Sequence, residues 1–157
     1  MTTLSDLLAL KDLPRAGWKR VGIDHPESVA AHSWGMGCLA AVLAPPDLDL
    51  KQILLLCIAH DLPEILAGDI TPHDGINRSQ KQELEAQAAQ NLLVDFPVLY
   101  EAWLEYERNE SPEAQFVHAI DKLDMGLQAK RYSEIADTKE FIESAGSKLH
   151  RPLKDWL

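Results

Sequence analysis

Seven consecutive apolar residues, Ile53 to Ala59, run directly into the doublet His60-Asp61. A membrane span needs about 20 such residues, so this run has to be buried within the protein. A strand and a helix are both compatible with so short a run. The polar residues that continue to Glu64, and the helical pattern on either side, favour a helix over Leu50–Leu62, apolar all round and therefore central. A core helix that ends in an imidazole and a carboxylate has to compensate them, because buried polar groups without partners are costly. A bound metal ion is an effective compensation.

The rest of the chain also reads as helices. Leu4, Leu7, Leu8 and Leu10 suggest a short opening helix capped by Thr3 or Ser5. Pro14, Gly17 and Gly22 make Lys11–Asp24 loop-like. A helix is expected from Pro26 to about Ala44, with Val29, His32, Met36, Leu39, Ala40 and Leu43 at helical spacing. Pro45-Pro46 stops it. Gly68–Asn77 reads as a loop, and helices are expected over Ser79–Phe96 and Val98–Arg108. Ser111-Pro112-Glu113 is a helix start, with Ser as cap and Pro in the first turn. A last helix runs from Ser133 or Asp137 to about Leu149. No alternating strand pattern, internal repeat or low-complexity segment is present, so the expected fold class is all-α, a compact multi-helix orthogonal bundle.

The chain's 157 residues suit one domain that buries roughly two-thirds of its unfolded surface. The net charge of −10 disfavours duplex nucleic acid, whose binding leans on a basic footprint. Cys38 and Cys57 lie in apolar stretches and read as buried, reduced thiols. With no secretion signal and no membrane span visible, the expectation is a cytoplasmic protein.

Four residues form a ligand set for one divalent metal: His32, His60, Asp61 and Asp121. Imidazole nitrogen and carboxylate oxygen suit Mn, Fe, Co, Ni or Zn. Such an ion makes a nucleophile from water at neutral pH, which points to hydrolysis. On a continuous helix, Glu64 would fall one turn from His60 and Asp61, within reach of the attacking water. For each residue a plainer reading also stands: a hydrogen-bonded core histidine, a surface carboxylate, a turn-forming Asp69, a solvated Arg15, a core Trp18.

Several ordered blocks narrow these alternatives. Pro26-Glu27-Ser28-Val29-Ala30-Ala31-His32-Ser33, His60-Asp61-Leu62-Pro63-Glu64 and Gly68-Asp69-Ile70 resemble the HD-domain phosphohydrolases. Pro14-Arg15-Ala16-Gly17-Trp18, Ser111-Pro112-Glu113-Ala114 and Asp121-Lys122-Leu123-Asp124-Met125 are similar to the small branch that acts as 5′-deoxynucleotidases. The resemblance implies an HD-domain bundle over residues 1–157, with a metal-binding core at about 26–132. It implies that His32, His60, Asp61 and Asp121 hold one transition metal. Glu64 would be the general base, and Asp69 would complete the acid–base or substrate set. Arg15 would hold the phosphate, Trp18 would pack near the sugar and help exclude a 2′-hydroxyl, and Thr71 would be a further substrate contact. The implied reaction takes a deoxyribonucleoside 5′-monophosphate to nucleoside and phosphate. A homodimer is also implied, and Leu99, Trp103, Leu104 and Tyr106 either line its interface or cover the core.

The chain departs from the pattern at three places. Ala31 precedes the first His where relatives often carry an acidic residue. Asp124 stands where Glu is expected, and two residues separate Arg15 from Trp18. His118, one turn before Asp121, is either a surface residue or a donor near the metal or phosphate. Two rival functions remain: HD hydrolysis of another nucleotide or phosphate ester, and a non-catalytic helical protein that senses a metal or ligand.

Overall fold

The computed structural model describes residues 2–157, and among them no strand forms. The chain opens with α1 (Leu4–Leu7), capped by Thr3 in a reciprocal box with Asp6, and tightens into a 3-10 turn over Leu8–Lys11. The segment expected as loop then contains a short helix, α2 (Ala16–Arg20). Its single turn is held by tertiary contacts: the Ala16 amide donates to Asp69, and Trp18 anchors in the core. Such contacts leave no trace in local sequence spacing.

Helix α3 (Val29–Leu43) starts three residues later than its pattern suggests, because Ser28 takes the capping position and accepts from the Ala31 amide. Helix α4 (Leu50–Ala59) is capped by Asp49. It buries Ile53, Leu56, Cys57 and Ala59, whereas Ile58 is exposed and Leu54 and Leu55 are half-buried. The apolar run is therefore central without being sealed on all sides. Helix α4 also ends before the doublet. Pro63 has no amide to continue the ladder, so residues 60–63 form a tight turn and a separate short helix, α5 (Glu64–Ala67), follows. Gly68 ends α5 at a φ of 81°, a conformation L side chains rarely adopt.

Helix α6 (Arg78–Leu93) begins with a capping box between Asn77 and Gln80. Helix α7 (Pro97–Arg108) ends at Asn109, which adopts the left-handed conformation. Helix α8 (Pro112–Tyr132) opens at the Ser111 cap, and α9 (Lys139–Lys148) packs back against it. Helix α4 is packed by α3, α7 and α8, and α3 also meets α8. One core cluster runs from Leu10 through Val29, Ile53, Leu93 and Leu123 to Leu149. Trp103 and Tyr106 are buried in it, and Leu99 and Leu104 pack against it, so these four cover the core. Of the two cysteines, Cys57 is buried but Cys38 is exposed, against expectation, on the outer face of α3. Among the described residues no helix is long and apolar enough to cross a membrane.

Ile53 is fully buried on α4 where that helix meets its neighbours. Ile53→Ala should destabilise the fold by about 2–5 kcal/mol, through lost transfer energy and a residual cavity. The measurement is the midpoint of urea unfolding, with an unchanged slope marking a pure stability effect.

Candidate metal and substrate site

The turn that ends α4 brings the doublet against α3 and α8. The His60 amide still donates to the Leu56 carbonyl, so the residue keeps the direction of α4. Its Nδ1 lies 3.0 Å from the Cys57 carbonyl, which only accepts. Nδ1 therefore carries a proton, and Nε2 lies 3.0 Å from Asp61 Oδ2. His32, one turn beyond the Ser28 cap, is fully buried. Its Nδ1 is 2.7 Å from Asp124 Oδ2, and its Nε2 is 3.3 Å from Asp121 Oδ1 and 3.9 Å from Asp61 Oδ2. Lys122 Nζ holds the other Asp121 oxygen at 2.7 Å.

The two Nε2 atoms, His32 and His60, are buried and make no hydrogen bond. Ligand atoms of His32, His60 and Asp61 all lie within 4.8 Å of one another, and Asp121 borders them. Buried imidazole nitrogens without partners are costly. A divalent first-row cation fits this donor set, because it would satisfy both nitrogens and offset the carboxylates.

The charges are strongly coupled. Burial and the Arg15 charge push the His32 imidazole down, but the Asp121 and Asp124 carboxylates beside it prevail and hold it up at about 9. Burial works to raise Asp61 and Asp121 as well. The charges of His60, His32 and Arg15 overcome it at Asp61, and those of Lys122 and His32 at Asp121, so both stay well below the usual carboxylate range. Glu64 shows the opposite balance. Its burial, together with the charges of Asp61 and Asp69, pushes the carboxyl up to about 10, and its Oε2 lacks a hydrogen-bond partner. Glu64 opens α5 and does not share a continuous helix with His60, so the Pro63 turn brings it into the cavity.

Arg15 reaches the site through backbone pairing. Its amide donates to the Glu27 carbonyl at 3.0 Å, and the Val29 amide donates to the Leu13 carbonyl at 2.8 Å. This isolated antiparallel bridge clamps the Arg15 segment to the start of α3, one turn before His32. The guanidinium Nη1 then lies 3.6 Å from Asp61 Oδ2. Asp69 Oδ2 accepts from the Ala16 amide at 2.7 Å and ties the loop after α5 to the same segment. The amide and hydroxyl of Thr71 both donate to Asp74.

Trp18 does not stand free beside a ligand. Only 1% of it is exposed, it packs on Tyr132 and Phe141, and its Nε1 donates to Glu27 Oε1 at 3.0 Å. It remains part of the cavity wall as a core aromatic. His118 stacks on Tyr106, with ring centroids 3.9 Å apart, and its Nε2 bonds to the Tyr106 carbonyl. It is half-buried and lines the cavity.

The cavity measures about 600 Å³, within the range of small-molecule sites. Six basic residues, Arg15, Arg20, Arg78, Lys81, Lys122 and Lys148, line it in a chain of net charge −10. Most of them carry no sequence signal. Lys122 alone could have been suspected, from its place beside Asp121 on the cavity face of α8.

A model of the HD domain matches residues 7–154. The chain belongs to the HD-domain family. It is 34% identical over 167 residues to 5′-deoxynucleotidase hdd1 of Schizosaccharomyces pombe, covering 98% of this chain and 84% of that protein. It is also 34% identical over 152 residues to human 5′-deoxynucleotidase HDDC2, covering 91% and 74%. Among solved structures, the PH0347 protein from Pyrococcus horikoshii OT3 superposes with a TM-score of 0.81 at 34% identity, over 98% of this chain and 93% of that one. The all-α architecture is that of the HD domain.

The donor set makes a direct prediction for metal uptake. The wild-type protein should bind one Mn²⁺ or Co²⁺ per chain in calorimetry. His60→Ala should abolish stoichiometric binding, because it removes one of the two unpartnered imidazoles.

Proposed function

We propose that this HD-domain protein is a metal-dependent phosphomonoesterase that hydrolyses deoxyribonucleoside 5′-monophosphates to nucleoside and inorganic phosphate. The observation that carries the reading is the meeting of two buried imidazoles whose Nε2 atoms lack hydrogen-bond partners with a buried Glu64 and the Arg15 guanidinium at one cavity. The relatives named 5′-deoxynucleotidase support the substrate class. His32, His60, Asp61 and Asp121 would hold a single Mn, Co, Fe, Ni or Zn ion, which supplies Lewis-acid polarisation of water and of a phosphoryl oxygen.

The protein's own residues do the rest. Arg15 binds the phosphate by paired N–H donors, and its guanidinium is fixed beside Asp61. Lys81 and Lys122 add positive charge to the walls that face the equatorial oxygens. Glu64, ionised once a cation offsets the charges of Asp61 and Asp69, would accept the proton of the attacking water as the new P–O bond forms and the bond to the ester oxygen breaks in line, and the departing oxygen takes up a proton to become the nucleoside hydroxyl. Asp69 orders the Arg15 segment through the Ala16 amide. The Thr71 hydroxyl, its proton given to Asp74, can accept from a substrate hydroxyl. Trp18 contributes the rigid wall against which a deoxyribose packs.

The core running from Leu10 to Leu149 supports one domain over the whole chain. Two free cysteines suit a reducing cytoplasm. The expected homodimer draws support from Trp34 and Val42, exposed on α3, while Leu99, Trp103, Leu104 and Tyr106 are taken up by the core. Sedimentation equilibrium should show a two-chain species.

Phosphate release from a panel of deoxy- and ribonucleoside 5′-monophosphates, with EDTA or added metal, tests the activity. Metal-dependent release that favours deoxy substrates is the expected result. Release only from other phosphate esters would leave an HD hydrolase of different substrate. A sensor would release nothing and still bind metal. Glu64→Gln should lower kcat by about 10²–10⁴-fold while metal stoichiometry is kept.

A further inference from the structure

Asp124 is a carboxylate in contact with His32 to which neither the metal set nor the substrate set gives a task. It sits one turn beyond Asp121 on α8, half-buried, with Oδ2 2.7 Å from His32 Nδ1. Gly35 lies opposite, one turn beyond His32 on α3. A Cβ added there would overlap Asp124 Oδ1 and lie 3.3 Å from its Cγ. Glycine weakens a helix interior, so its presence in α3 needs a reason. Gly37, two residues on, is different: a Cβ there would meet only Leu54 Cδ2, at an ordinary 3.9 Å.

These observations describe a notch and the group that fills it. Helix α3 supplies both His32 and the bare Cα of Gly35. Helix α8 supplies both Asp121 and Asp124. The Asp124 carboxylate enters α3 at Gly35 and is held there in contact with Nδ1. Glu27 brings a further carboxylate close to His32 and Asp124, but its Oε1 accepts from Trp18 Nε1 at 3.0 Å. A carboxylate on one imidazole nitrogen fixes ring orientation and raises the basicity of the other nitrogen. We infer that Asp124, seated in the Gly35 notch, is the positioning residue that presents His32 to the metal through Nε2.

The inference rests on the metal reading of the site, and its test separates the two. Metal-free wild type, Asp124→Asn, Gly35→Ala, the double variant and a Gly37→Ala control are titrated with Co²⁺, followed by calorimetry and visible absorption. Thermal melting of each metal-free protein is recorded alongside. Asp124→Asn and Gly35→Ala should each weaken Co²⁺ binding by about 10–100-fold. Gly37→Ala should bind within about twofold of wild type, as expected of a distant, independent site. The double variant should be no weaker than the weaker single variant, because both changes break one contact. Wild-type affinity in Asp124→Asn, or additive losses in the double variant, would overturn the inference. So would a lowered melting temperature with unchanged affinity, which marks a merely structural contact. A wild-type protein that takes up no divalent ion would overturn the metal reading itself, and this inference with it.

Discussion

Two imidazole nitrogens and several carboxylates buried at one helix junction are the constraint on which the rest of the structure depends. Groups of this kind normally stay at the surface or find hydrogen-bond partners. Here His32 and His60 each spend Nδ1 on an internal acceptor and turn Nε2 into the same space. The packing of α3, α4 and α8 makes the junction, because each of the three helices brings at least one donor to it or to its edge. Around it the core is apolar and closely filled, with Val29, Met36, Leu56, Ile120 and Leu123 all inaccessible. The cost of the polar cluster is therefore local, and the surrounding aliphatic contacts hold it in place.

Much of this was legible in the sequence, and the part that was not has a common cause. Caps and proline breaks are local, so Ser111-Pro112 marked the start of α8 and Pro45-Pro46 the end of α3. The doublet after an apolar run marked the site because burying it demands compensation. The helix over Leu50–Leu62 was read too long, since periodicity cannot show that Pro63 divides it and gives Glu64 a helix of its own. Helix α2 was missed because it depends on Asp69, 53 residues away in sequence. The burial of Trp18 against Tyr132 and Phe141 was not legible either, because those partners lie more than 100 positions downstream. The exposed Cys38 shows the same limit: an apolar helix has one face too many for the core, and spacing alone does not say which face is left out.

The Arg15 segment illustrates how a short chain places a cation beside buried carboxylates without a dedicated helix. Two backbone hydrogen bonds to the start of α3 and one amide donated to Asp69 suffice. All three use main-chain groups, which leaves the guanidinium free to face Asp61 and the cavity. The segment is thus registered to the same helix that carries His32, so the candidate phosphate ligand and the candidate metal ligand share one backbone frame. A misplacement of about 1 Å between reacting groups is enough to cost a large factor in rate, and this shared frame limits such drift.

Charge is partitioned on a larger scale as well. The chain carries a net charge of −10, yet six basic residues converge on one cavity. Salt screens exposed charges beyond about 8 Å at physiological ionic strength. The acidic exterior is therefore felt only weakly by a phosphate ester outside that range. Within the cavity seven carboxylates stand among these six cations, and Arg15 and Lys122 are paired with Asp61 and Asp121. The same exterior disfavours polyanions such as duplex nucleic acid, which would have to lay many phosphates along an acidic surface to place one of them in the cavity. The cavity's own side chains bring no excess of positive charge, so a divalent cation held among the carboxylates would be what makes the interior attractive to a small phosphate ester.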